Sequence, residues 1–327
     1  MNIFKNTRAI KAATRLGGVF LSLAAATSMA SDYPKQPITL VVGFAAGGGS
    51  DVCVRALAKT ASEQLGQSIV VENRPGAGSS LSINYLVRQR PDGYTLATLS
   101  TGGALNPYVT PSIGYDVTQD LTPIVMIAQY QVGIAVRADA PWTSLKEVIA
   151  AAKAQPESVS VAIAGLGTSL HIAMESLGKI ADMKWVLVPY KSGMEATTAL
   201  VRGDTELLVQ TPEWAPFVRE GRLRLLNVLT EERMSGFPDA PTVKEAGYDL
   251  DAPNFLGLVG PKGMDPAIVS RLEAAFKKAA DSEDFHKCAD QFVLKADFRD
   301  GREFKNYIQR TVDSYVPVIK ELDLKTE

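Results

Sequence analysis

The chain has 327 residues, a formal net charge of −2, and only two histidines and two cysteines. That balance excludes the clustered basic surface that nucleic acid or an anionic membrane requires, and so few scattered His and Cys offer no metal-ligand spacing. The length exceeds what one hydrophobic core usually holds and predicts two domains.

The amino end carries Lys5, Arg8, Lys11 and Arg15, then an apolar run from Gly17 to Ala26, then Ser28-Met29-Ala30. This is the order of a secretory leader, and the run is half of the roughly twenty residues that a membrane span needs. Cleavage of residues 1–30 would remove four positive charges and no negative ones, taking the net charge from −2 to −6. No Cys follows the expected cleavage point, so no lipid anchor is expected. An exported protein lies where Cys53 and Cys288 can pair; their spacing leaves two buried thiols equally open.

From Ile38 to Phe44 the run ITLVVGF reads as a buried strand, closed by Gly47-Gly48-Gly49. Ser50 or Asp51 then caps a helix whose apolar face is Val54, Leu57, Ala58, Ala61 and Leu65, stopped by Gly66. A strand at 68–72, a Gly/Ser loop at 73–80, a helix at 81–89, the turn Pro91-Asp92-Gly93 and a strand at 94–99 follow. The second half repeats the order. Strand 158–164 leads through Gly165-Leu166-Gly167-Thr168-Ser169 into a helix marked by Leu170, Ala173, Leu177 and Ile180. Then come strand 185–189, the turn Tyr190-Lys191-Ser192-Gly193, a helix to Arg202 and strand 206–210. Two β-loop-α-β-loop-α-β units predict two Rossmann-like α/β domains, built largely of parallel strands. Further on, Pro266 opens a helix with Leu272, Ala275 and Phe276 on one face, which would return to the first domain.

In open α/β sheets ligands sit beyond the carboxyl ends of the strands. If the domains face one another, two loops present helix amino ends to the same space, and their free N–H groups select an anion. Gly47 and Gly48 belong to the first loop, although a bare glycine loop also serves as a tight turn. Asp51 suits a cap or loop brace better than a contact with an anion. Gly165, Gly167, Thr168 and Ser169 form the second loop, where the hydroxyls can cap, bind or do both. His171 stands near that helix start as a structural or rim residue or a ligand neighbour. Ser100, Thr101 and Asn106 follow a strand and can line the cleft or make local turn bonds. Tyr190, Lys191, Gln210 and Thr211 close two further strands.

An enzyme is the rival reading, and its motifs are missing. The GGGSD loop lacks a Walker Lys, the second loop lacks the third glycine of a dinucleotide fingerprint, and no G-x-S-x-G elbow is present. Ser169 and His171 are two positions apart on a helix and point about 200° away from each other. No catalytic residue, cofactor or metal is therefore expected.

The segments YPKQPITLVVGFAAGGGSD, VVENRPGAGSS, PDGYTLATLS, AGLGTSLHIAMESL, VPYKSGMEATTALVRGD, GRLRLLNVLTEER and FPDAPTVKEAGY run in order through the chain. They resemble the substrate-binding receptors of tripartite tricarboxylate transporters, the Bug family. The resemblance implies a monomeric periplasmic binding protein of type II, a Venus flytrap that shuts on a small mono- or dicarboxylate, an aromatic acid or an amino acid. It implies membrane transporter subunits as partners, or a sensor kinase in their place. Carried over, the ligand loops are Phe44 to Asp51, with Phe44, Ala46 and Ser50 among the contacts, and Gly165 to Ser169. The chain departs from the family pattern at Ala45-Ala46, where prolines are usual, at Ser192, which intervenes before Gly193, and at Phe255, which stands where the family commonly has Trp. The expected domains are 31–130 with 252–327, and 131–251.

Overall fold

The computed structural model describes residues 33–250 and 252–324; the leader expected at 1–30 lies outside the described residues. In chain order the main elements are β1 (Ile38–Val42), α1 (Gly49–Leu65), β2 (Ile69–Asn73), α2 (Ser80–Leu86), β3 (Thr95–Ser100), α3 (Thr101–Val109) and β4 (Leu121–Tyr130). Then follow β5 (Gly133–Arg137), α4 (Leu145–Ala154), β6 (Ser160–Ile163), α5 (Ser169–Ile180), β7 (Val186–Pro189), α6 (Gly193–Arg202), β8 (Leu207–Gln210), α7 (Ala215–Arg219) and β9 (Leu223–Val228). The chain closes with β10 (Phe255–Pro261), α8 (Pro266–Ala280), α9 (Glu283–Gln291), β11 (Leu294–Asp300) and α10 (Gly301–Glu321).

Two sheets result: a six-stranded one ordered β11-β4-β10-β3-β1-β2 and a five-stranded one ordered β7-β6-β8-β5-β9. Strand β1 is parallel to β2 and β3, and β6 is parallel to β7 and β8, so each predicted unit forms a parallel half-sheet. The expectation of largely parallel sheets is corrected by the remaining pairings. β10 is antiparallel to β3 and β4, β11 to β4, and β5 to β8 and β9. The reason lies in the crossings. Only residues 131 and 132 separate β4 of the first sheet from β5 of the second, so β5 enters its sheet directly from the other lobe, with no crossover helix before it, and runs against β8 and β9.

Each sheet is covered on both faces, as its alternation requires. In β1, Ile38, Leu40 and Val42 pack beneath α1, α8 and α9, while Val41 faces the cluster of Leu86, Leu99, Phe304 and Ile308. In the second sheet Val161 and Ile163 join the cluster of Leu145, Val148 and Leu177, and Ala162 the opposite one with Leu200 and Trp214. Helix α10 belongs to both lobes: Phe304 and Ile308 pack in the first, Tyr315 and Ile319 in the second. Its start is fixed by a capping box in which Asp300 and Glu303 satisfy each other's backbone N–H groups.

Cys53 of α1 and Cys288 of α9 form a disulfide with Cα atoms 5.4 Å apart, settling the choice that spacing left open. Phe255 lies in the core between Phe304 and Tyr307. Its ring therefore cannot serve as a cleft aromatic.

Candidate functional site

Four of the helices begin at one place between the sheets. Their N-caps are Gly48 for α1, Ser100 for α3, Thr168 for α5 and Ser192 for α6. The last three use their hydroxyls as caps, accepting from the N–H groups of Gly103, His171 and Glu195; Gly48 has no side chain to do so. The predicted cap at Ser50 or Asp51 is thus displaced to Gly48, because Asp51 is committed elsewhere. Its Oδ2 accepts the Gly47 N–H at 2.9 Å, and its Oδ1 accepts Asn73 Nδ2 at 2.7 Å and Arg55 Nε at 3.0 Å. Burial alone would raise this carboxyl, but Arg55, the Gly47 N–H and Asn73 outweigh it and hold the group below the usual carboxylate range.

The second loop is built the same way with other chemistry. Gly47 and Gly167 both have positive φ, at 83° and 73°. In each loop the side chain four residues later reaches back to the glycine N–H: Asp51 to Gly47, and His171 Nδ1 to Gly167 at 2.9 Å. At α6, Glu195 likewise accepts the Lys191 N–H at 3.1 Å. Each brace ties down the N–H just before its N-cap, so the loop is held and the free N–H groups of the first turn remain aimed outward.

These ends enclose a cavity of about 570 Å³. The first lobe contributes Phe44, Ala45, Gly48, Gly49, Ser50, Gly78, Ser100, Gly102, Tyr130 and Asn254; the second contributes Ala164, Thr168, Ser169, Leu170, Ser192, Gly193, Met194, Thr211 and Glu213. Among the described residues no Lys, Arg or His lines it. A carboxylate loses several kcal/mol on desolvation. Each helix end returns about 0.3–1 kcal/mol, up to ~2 when partly buried, and each N–H···O⁻ bond about 1.5–3 kcal/mol. One helix end does not offset the cost and several do.

Of the residues anticipated from sequence, Phe44, Gly48, Ser50, Ser100, Thr168, Ser169 and Thr211 line the cavity, with Ala45 and Gly49 of the first loop. Ser50 Oγ lies 2.6 Å from Tyr130 Oη, and Asn254 Nδ2 donates to Ser169 Oγ at 3.4 Å, a hydrogen bond between the lobes. The others stand outside its wall. Ala46 and Gly47 are exposed at the mouth, and Asp51, Gly165, Gly167 and His171 shape the loops. Thr101 is fully buried, its hydroxyl accepting the Phe255 N–H at 2.8 Å. Asn106 donates to Ser80 Oγ at 2.8 Å, Tyr190 packs against the cluster of Ala162, Leu200 and Trp214, and Gln210 is buried beneath Gly193. The Thr101 hydroxyl, Asn106 Nδ2 and Gln210 Nε2 are taken up by bonds within the protein.

Tyr130 and Asn254 escaped sequence reasoning because they sit on the crossings between lobes, where no motif marks them. Gly78, Ser192 and Gly193 did carry a signal, each lying in a Gly/Ser loop after a strand. Burial raises the Tyr130 phenol, which therefore stays neutral beside Ser50.

Two α/β lobes joined by crossing strands, with helix amino ends from both converging on the cleft, define the class of two-domain solute-binding proteins. The chain belongs to the tripartite tricarboxylate transporter family of receptors, whose family model matches residues 53–324. It is 39% identical over 306 residues to a protein in the gbd 5′ region of Cupriavidus necator, covering 93% of each chain. It is 33% identical to the protein BugT of Bordetella pertussis, covering 81% of this chain and 83% of that one. Among solved structures, a TctC solute-binding protein from Polaromonas superposes with a TM-score of 0.78 at 30% identity, covering 88% of this chain and 99% of that one. MatC from Rhodopseudomonas palustris with bound malate gives 0.75 at 26% identity, covering 88% and 100%. A second R. palustris protein with adipate gives 0.77 at 26%, covering 88% and 98%.

Proposed function

We propose that this protein is a periplasmic receptor that captures a small carboxylate between its lobes, without catalysis, and delivers it to the membrane subunits of a tripartite tricarboxylate-type transporter. One observation carries the reading: helix amino ends from both lobes face one cavity that, among the described residues, has no basic side chain in its lining. The leader pattern and the disulfide support export, and the malate and adipate held by two structural neighbours support a carboxylate. The domains are taken as 31–130 with 252–327, and 131–251. Their closure is a population shift driven by a ligand that binds the shut form better.

Thermal denaturation of the mature protein against a panel of carboxylates tests the reading, since a ligand at a hundred times its Kd adds about 2.7 kcal/mol of stability. Gly48 has extended backbone (φ −75°, ψ 162°), and a Cβ there would meet only Ala45 O at 3.6 Å. Gly48→Leu should therefore fold and fill the cleft, as should Thr168→Tyr from the opposite side. Both variants are expected to lose the ligand-induced shift. A shift undiminished in both would place binding elsewhere.

A further inference from the structure

Among the described residues lining the cleft, Glu213 is the one acidic side chain, in a cavity otherwise made for an anion. It sits in the turn after β8 and is held rigidly: Thr211 Oγ1 donates to its Oε2 at 2.9 Å and Gln210 Nε2 at 3.3 Å. The main chain of Gln210 is fixed in turn, its backbone carbonyl accepting the Trp214 indole N–H at 2.9 Å. The Glu213 carboxyl carbon would lie 3.0 Å from a Cβ placed on Gly193, so it stands at the start of α6.

A carboxylate has about four lone-pair sites, and the two donors both go to one oxygen of Glu213. Behind it, beneath Gly193 and outside the cavity wall, Gln210 Oε1 is buried without a hydrogen-bond partner. Turning the Gln210 amide over would set its oxygen against the Glu213 carboxylate, so the unfilled atom remains an acceptor. Closure over a ligand strips water from this end, and a desolvated carboxylate with unfilled acceptor sites is costly unless the guest supplies donors. A second ligand carboxylate would bring repulsion instead.

We propose that Glu213 is a specificity-determining residue, and that it selects a monocarboxylate whose far end carries an ammonium group over a dicarboxylate of the same length. The proposal rests on the carboxylate-receptor reading. In it the helix ends of α1 and α5 take the carboxylate and Glu213 takes the cation.

Isothermal titration of the mature protein with 4-aminobutyrate and 5-aminopentanoate, against succinate and glutarate, with butyrate and pentanoate as uncharged-tail controls, tests this. The amino acids are expected to bind about tenfold or more tighter than the diacids, and Glu213→Gln to erase or invert that order, since truncating a charge partner shifts affinity by at least roughly this factor. Gln keeps an oxygen for Thr211 and Gln210, and an unchanged melting temperature without ligand would verify the fold. Should the variant fail to fold, the order in the natural protein decides. Tighter diacid binding by the natural protein, or an order indifferent to Glu213→Gln, overturns the role of Glu213 and leaves the receptor reading intact. No binding by any acid on the panel overturns both.

Discussion

Asp51 shows how one side chain can shape a binding loop without touching the cavity. Its carboxylate gathers the Gly47 N–H, the Asn73 amide and the Arg55 guanidinium, and it is almost entirely buried. Because its folded pKa lies below its unfolded value, Asp51 stabilises the fold above roughly pH 4 and loses that contribution as the pH falls further. Asp51→Asn is therefore expected to cost about 1–3 kcal/mol at pH 7 and to narrow its deficit against the natural protein near pH 3. Urea denaturation at the two pH values measures this; an equal deficit at both would mean that charge has no part in the brace.

At the level of elements, a recurring device sets the ends of α1, α5 and α6: a residue at the third helical position reaches back to the N–H before the N-cap. The carboxylates of Asp51 and Glu195 and the imidazole of His171 perform the same task, since all it requires is an acceptor of suitable reach. At α5 the braced residue, Gly167, is left-handed, with φ 73°, and a Cβ there would lie 2.8 Å from Val109 Cγ1 of α3. Gly167→Ala is thus expected to destabilise by about 1–2 kcal/mol from the backbone alone, with the Val109 contact adding to it. Gly48→Ala, in extended backbone and open space, should stay within about half a kcal/mol. Chemical denaturation of the pair checks the contrast, and comparable losses would discount the conformational argument.

Across the whole molecule, the Cys53–Cys288 bond closes a loop of 235 residues that contains the entire second sheet, yet it joins two helices of the first lobe. It stabilises the first lobe against unfolding and lies away from the cleft lining. The double variant Cys53→Ser, Cys288→Ser is expected to lose about 2–4 kcal/mol, or roughly 5–10 °C in melting temperature, with carboxylate affinity unchanged. Calorimetry with and without ligand measures both; a parallel fall in affinity would tie the bond to closure. Helix α10 packs in both lobes and is a third connection besides the two crossings, so motion between the lobes must be accommodated at its Tyr315–Ile319 end or carried with it.

The half-sheets β1–β3 and β6–β8, their helices and the two loops that open on the cavity were legible in the sequence, because strand period, glycine stops and caps are local and act over a few residues. That is why Ser50, Ser100, Thr168 and Ser169 were found from their place after a strand. The antiparallel entry of β5 and β10, the disulfide, and the places of Tyr130, Asn254 and Glu213 in the cavity wall were decided only by the tertiary structure. Each depends on which segments, distant in the chain, are brought together when two lobes fold around two crossings. The diversion of Asp51, Thr101, His171 and Gln210 to structural bonds has the same origin: a polar side chain's partner is chosen by its folded neighbours, and residue type fixes only what it can offer.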